Sequence, residues 1–162
     1  MTASSQTAVL IHGLSEEHSV WSQQESFLQR SLNVISYDVR GFGTSPVGAG
    51  NGTVGQMADD LAQILSAHSA IPAWLVGFSM GGVIAQRFAL DFPERVQGLI
   101  LIASSCSVGR AGVEFFNSRM EQAAQGGLDA ITLITQGDAS GCFAVDDEQL
   151  IEQYRQLRTA AV

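Results

Sequence analysis

Positive charge is scarce in this chain. Only 8 basic side chains stand against 16 acidic ones, a formal charge of −8 at neutral pH over 162 residues. Such a balance repels a phosphate backbone or an anionic bilayer, so nucleic-acid and membrane partners are excluded and a small neutral ligand is expected. Cysteine is nearly absent. Cys106 and Cys142 lie far apart and in no CxxC or zinc-ligand spacing, which predicts reduced thiols, no metal site and an intracellular, cytoplasmic protein. No apolar run approaches the length of a membrane span, and the opening MTASSQT has neither the basic nor the apolar part of a signal peptide. Histidine occurs only as His12, His18 and His68, all in the first half of the chain. What the sequence does have is apolar residues, 46% against 15% charged, enough for one globular core.

Four short β-branched or aliphatic runs, residues 7–11, 32–37, 74–76 and 99–103, read as buried parallel strands. Amphipathic segments lie between them. Residues 53–68 place Val54, Met57, Ala58, Leu61, Ile64 and Leu65 at three- and four-residue spacing, with Thr53 and Gln56 as a capping box. Residues 79–90 are apolar nearly all round and end before Pro93, which predicts a buried helix. Strands alternating with helices give an α/β fold with a doubly wound sheet, whose ligand cleft lies beyond the carboxyl ends of the strands. After Ala103 the strand pattern does not return, and residues 113–125, 128–135 and 146–157 read as helices. The expected division is therefore 1–105 as the core and 106–162 as a helical segment.

The run Val76-Gly77-Phe78-Ser79-Met80-Gly81-Gly82 is a G-x-S-x-G motif set between an apolar strand and an apolar helix. A serine at so tight a turn sits in strained backbone geometry with its hydroxyl in the cleft, and the glycines are needed because a Cβ there would strike strand or helix. The Met80 N–H is then aimed at a carbonyl under attack. A second donor is expected in the loop after the first strand, where Ile11-His12-Gly13-Leu14 makes the Leu14 N–H the candidate. His12 is read as tying down that loop rather than acting in catalysis. Against these stands a plainer account, in which Ser79 only caps the helix that follows it.

Taken together, His12-Gly13, the run from Tyr37 to Ser45 (YDVRGFGTS), Gly77 to Gly82 and Phe92-Pro93-Glu94-Arg95-Val96 resemble the α/β-hydrolase fold family. The likeness spans about residues 7–103 and points most to 3-oxoadipate enol-lactone hydrolases and to cofactor-free haloperoxidase and esterase relatives. It implies Ser79 as nucleophile, Leu14 and Met80 as backbone donors of the oxyanion hole, and Asp38 with Arg40 as a structural brace. The resemblance further implies that 1–105 is the N-terminal part of the hydrolase core and that 106–162 is a helical cap segment, truncated, and it implies no cofactor.

The family order of serine, acid, histidine is not completed here. All three histidines precede Ser79, and the place where some relatives carry the acid holds Ser104-Ser105-Cys106-Ser107. The expectation is a partial fold in which residues 99–103 form an exposed edge, with the C-terminal hydrolase half or a second chain supplying acid and base. The leading function is hydrolysis of a carboxylic ester or lactone through an acyl-enzyme, with this chain alone inactive. A non-catalytic binder on the same body and a haloperoxidase-like activity are the alternatives. Gly50 to Gly55 satisfies G-x-G-x-x-G but does not follow a strand directly, and is read as a surface loop. Trp21 is assigned to core packing, His18 could line the pocket, and Phe115 and Phe116 face either a substrate or the body.

Overall fold

The computed structural model describes residues 6–135 together with 148, 149, 152, 153 and 156. Four strands, β1 (Thr7–Ile11), β2 (Asn33–Tyr37), β3 (Ala73–Phe78) and β4 (Val96–Ile102), form one parallel sheet in the order β2-β1-β3-β4. Helices α1 (Ser22–Leu28), α2 (Val54–Ala67) and α3 (Met80–Asp91) connect them. The two inner strands are the most apolar and the most buried. All five residues of β1 are buried, because both faces of this strand are covered and both edges are paired.

Alternation along β1 sorts its side chains into two cores. Val9 and Ile11 join Leu75 against Ala58, Leu61 and Leu65 of α2 and Ile84, Ala85 and Phe88 of α3. Leu10 points the other way and packs with Val76 and Trp21. Trp21 is thus a core residue, as its apolar bulk suggests. Each fully buried aliphatic side chain of this set stabilises the fold by about 1.5–3 kcal/mol.

Helix α2 starts as its sequence predicts. The Gln56 N–H donates to Thr53 Oγ1 and the Thr53 N–H to Gln56 Oε1, both at 3.2 Å. This reciprocal cap satisfies two otherwise orphan donors and contributes about 1 kcal/mol. The loop 38–53 before it holds Gly50 and Gly52 at positive φ, far from the end of any strand, which fits a surface turn rather than a phosphate cradle.

Several boundaries differ from the sequence reading. β3 runs from Ala73 to Phe78 and β4 begins at Val96, three residues earlier than its aliphatic run, because the ladder includes Val96 and Gly98, with a register shift that skips Gln97. α1 and the 3-10 turn His18–Trp21 have too few apolar residues to announce themselves. The helices expected at 113–125 and 128–135 are one helix, α4 (Arg110–Thr135). Gly126 and Gly127 keep their N–H groups, so each costs a helix about 1 kcal/mol without breaking its ladder. The helix expected at 146–157 lies mostly outside the described residues, as does Cys142.

β4 pairs with β3 alone among the described residues, and Leu99, Ile100, Leu101 and Ile102 are 37–47% exposed. The chain divides into two compact units, Met1–Cys106 and Ser107–Val162. Within the second, the rings of Phe115 and Phe116 meet edge to face at 5.4 Å, and both residues are exposed. No helix among the described residues is long and apolar enough to cross a membrane.

Candidate active site

Ser79 stands at the junction of β3 and α3 with φ 49° and ψ −114°. A non-glycine residue with positive φ is strained, and such strain persists only where the surroundings impose it. Here the Ser79 N–H donates to the Ile102 carbonyl at 2.9 Å, and the Ser79 carbonyl accepts from Gly82 at 3.0 Å and Val83 at 3.3 Å. Although Ser79 occupies the N-cap position of α3, its side chain makes no capping bond, and the residue is partly exposed. The helix-cap account of this serine therefore fails on geometry.

The flanking glycines are dictated by contact. A Cβ on Gly77 would lie 2.5 Å from the Gly81 carbonyl and from Gly82 Cα, and one on Gly81 would lie 2.1 Å from the Ile11 oxygen. The first turn of α3 thus rests on the end of β1. Because Ile11 pairs with Gly77, the loops leaving β1 and β3 emerge side by side at the carboxyl edge of the sheet. A Cβ on Gly13 would meet the Phe78 ring at 2.9 Å, so the loop carrying Leu14 packs against the residue preceding Ser79. Among the described residues neither the Leu14 nor the Met80 N–H donates to a protein acceptor.

His12 is fully buried. Its Nε2 accepts the Val39 N–H at 2.9 Å, which leaves the ring proton on Nδ1 to donate to the Gly13 carbonyl at 2.8 Å. Burial lowers its pKa from the ordinary histidine value and keeps it neutral. With both nitrogens engaged, His12 joins the β1 loop to the β2 loop and has no lone pair left for a base. We expect His12→Ala to lower stability by about 2–4 kcal/mol, since it leaves the buried Val39 N–H unpaired and opens a cavity. Urea unfolding of the purified chain measures this.

Glu16 was not among the sequence candidates. It is 2% exposed and accepts the Gly13 N–H at 2.7 Å, which closes the turn on which Leu14 sits. Two adjacent glutamates after a His-Gly pair look like a solvated loop, and no local signal marks one of them as buried. Ser15, inside the same turn, has φ 63°.

Asp38 and Arg40 both brace loops, but with separate partners. Arg40 forms a two-pronged ion pair with Asp60 of α2, at 2.6 and 2.7 Å, and also reaches the Ala49 carbonyl. Asp38 Oδ1 accepts the His18 backbone N–H at 2.8 Å and lies 2.7 Å from His18 Nδ1. Its Oδ2 accepts the N–H and hydroxyl of Thr44, each at 2.8 Å. Burial by itself would raise this carboxyl, but the bonds from His18 and Thr44 hold it well below the usual carboxylate range. Glu17, His18 and Asp38 bring ligand-type atoms within 4.8 Å of one another. Four donors already occupy the Asp38 oxygens, so a cation would have to displace the bonds that order both loops.

His18 is therefore committed to Asp38. His68, exposed at the end of α2, lines a cavity of about 450 Å³ with Thr7, Asn33 and Pro72 at the amino ends of the strands, opposite Ser79. Cys106 is a free, exposed thiol.

A model of the alpha/beta hydrolase fold matches residues 8–143. The chain is 31% identical over 148 residues to 3-oxoadipate enol-lactonase 2 of Acinetobacter baylyi, covering 90% of this chain and 54% of that protein. It is 35% identical over 97 residues to a pimeloyl-[acyl-carrier protein] methyl ester esterase of Chromobacterium violaceum, which covers 60% of this chain and 36% of the other. Among solved structures, a thermophilic esterase from Thermogutta terrifontis superposes with a TM-score of 0.81 at 28% identity, over 99% of this chain and 60% of that one. The chain thus spans about half the length of the relatives it matches. The match across most of its residues, the parallel sheet and the strained serine turn place one conclusion beyond the fold alone: this chain belongs to the alpha/beta hydrolase fold family.

Proposed function

We propose that these residues form the nucleophile side of a cofactor-free serine hydrolase acting on small, uncharged carboxylic esters or lactones. Ser79 is the nucleophile, and the N–H groups of Leu14 and Met80 receive the oxyanion. The observation that carries this reading is a non-glycine residue held at φ 49° on a strand-to-helix turn, with its hydroxyl unused by the helix it precedes. Strain of that kind is retained where it aims a group at a ligand.

In the reaction the Ser79 hydroxyl oxygen bonds to the substrate carbonyl carbon as its proton passes to a base. The carbonyl oxygen becomes an alkoxide between the two N–H donors, a setting in which one donor contributes about 3–4 kcal/mol to the transition state. Collapse breaks the bond to the leaving oxygen, which takes up the proton. An ester releases its alcohol, whereas a lactone opens and keeps both ends in one molecule. Water then attacks the acyl-enzyme and gives its proton to the base, and as the bond to Ser79 breaks the base returns that proton to the serine oxygen, which frees the acid and restores the hydroxyl. The base and its orienting acid come from residues outside these 162, in the same protein or a second chain, because His12 and His18 are committed to loop contacts and His68 lies at the far edge. Likeness to an enol-lactonase and to a methyl ester esterase supports ester and lactone carbonyls as the substrate class.

A fluorophosphonate probe tests this on the isolated chain and on the chain joined to the residues that supply base and acid. Labelling of Ser79 in the joined form, and little in the isolated chain, is the expected result. Labelling of neither form, or of another residue, overturns it.

A further inference from the structure

Building on Leu14 as an oxyanion donor, we propose that His18 and Asp38 form a positioning clamp that sets the direction of the Leu14 N–H, and that Glu17 makes the clamp responsive to protonation. Three features carry this. The His18 backbone and ring both bond one oxygen of Asp38, so the end of the β1 loop is fixed to the segment leaving β2. Asp38 is itself immobilised by Thr44 through its other oxygen. The His18 ring also lies 3.0 Å from a Glu17 oxygen, so one imidazole separates two carboxylates whose nearest ligand-type atoms are within 4.8 Å.

The turn that bears Leu14 is contiguous with this clamp. Gly13 to Glu16 is closed by the Gly13-to-Glu16 bond, and Glu17 and His18 follow directly. A shift at residues 17–18 is therefore passed to Leu14 through a turn with little slack, because Ser15 is already at positive φ. The charged groups facing His18 are all carboxylates: Asp38 after β2, Glu17 beside it and Glu25 on α1. The hydrogen bond to Asp38, aided by these negative charges, raises the His18 pKa above its ordinary value of 6.5. A raised histidine gives its stabilisation in full at pH below the ordinary value and loses it as pH rises through the raised one. Above that point Glu17 and Asp38 confront each other with no cation between them, and the loop between them loosens. Since His18 is half-exposed, its titration is open to solvent.

Amide and imidazole NMR of the 162-residue chain from pH 5 to 9 decides this. The Leu14 amide should titrate with the same midpoint as the His18 ring, above 6.5. His18→Gln should flatten the Leu14 profile while the protein remains folded. Glu17→Gln should flatten it while His18 still titrates, an outcome that simple propping by His18 does not give. A Leu14 amide insensitive to pH in the wild-type chain, or one that titrates unchanged in either variant, overturns the clamp. Fluorophosphonate labelling of Ser79 alongside a flat Leu14 profile would refute the clamp alone. No labelling in the joined form alongside a titrating Leu14 would refute the catalytic reading alone.

Discussion

Ser79→Ala should lower kcat for ester or lactone hydrolysis on the order of 10⁵- to 10⁶-fold, with little change in KM, in a preparation that contains base and acid. Removing a nucleophile eliminates the acyl-enzyme route, whereas the two oxyanion donors and the binding surface still leave about 10³–10⁴-fold over the reaction in water. The same position also separates chemistry from folding. Serine and alanine face the same backbone strain at φ 49°, and the serine hydroxyl supports no cap, so Ser79→Ala should alter stability by less than about 1 kcal/mol. Ser79→Gly goes further. Glycine adopts positive φ without strain, so this variant should be as inactive as the alanine form and gain about 1 kcal/mol in stability. Steady-state kinetics and thermal melts of the three proteins measure both effects. If Ser79→Ala hydrolysed esters at the wild-type rate, the assignment of the nucleophile would be wrong.

Gly81→Ala should prevent stable folding, with a loss of at least about 4 kcal/mol. Its Cβ would lie 2.1 Å from the Ile11 oxygen, 2.6 Å from the Ile11 carbonyl carbon and 2.7 Å from the His12 oxygen, all backbone atoms. None of these can yield cheaply. β1 is buried along its whole length and paired on both edges, and α3 is held by Ile84, Ala85 and Phe88 in the core. Gly109→Ala is the comparison, since nothing lies within 4 Å of a Cβ placed there; Gly109 precedes α4 and accepts the Val113 N–H, so the loss should be only that of a weaker helix start, about 1 kcal/mol or less. Urea unfolding compares the two. A cooperative, near-wild-type transition in Gly81→Ala would show that the elbow is looser than described.

Much of this arrangement is legible without coordinates. The aliphatic run of β1, the three- and four-residue spacing of α2 and its Thr53–Gln56 cap are written locally, and they appear where expected. So does the turn at Ser79, because the glycines around it report a close approach of backbone to backbone. The partners of charged side chains are not written this way. Asp38 and Arg40 are adjacent but one in sequence and were expected to brace together, yet they leave the chain in different directions. One reaches His18 and Thr44, the other Asp60. Glu16 escapes notice for the same reason, since only the closed turn takes its carboxylate out of water.

By itself the sequence determined the four strands, helices α2 and α3 and the strained serine between β3 and α3, since periodicity and backbone freedom are properties of neighbours along the chain. Tertiary structure alone decided which polar groups meet: that His12 spends both ring nitrogens between two loops, that Asp38 gathers His18 and Thr44, and that β1 lies between β2 and β3. Those pairings depend on strand order and burial, which bring together residues far apart in the chain and strip them of the water that would otherwise satisfy each one alone.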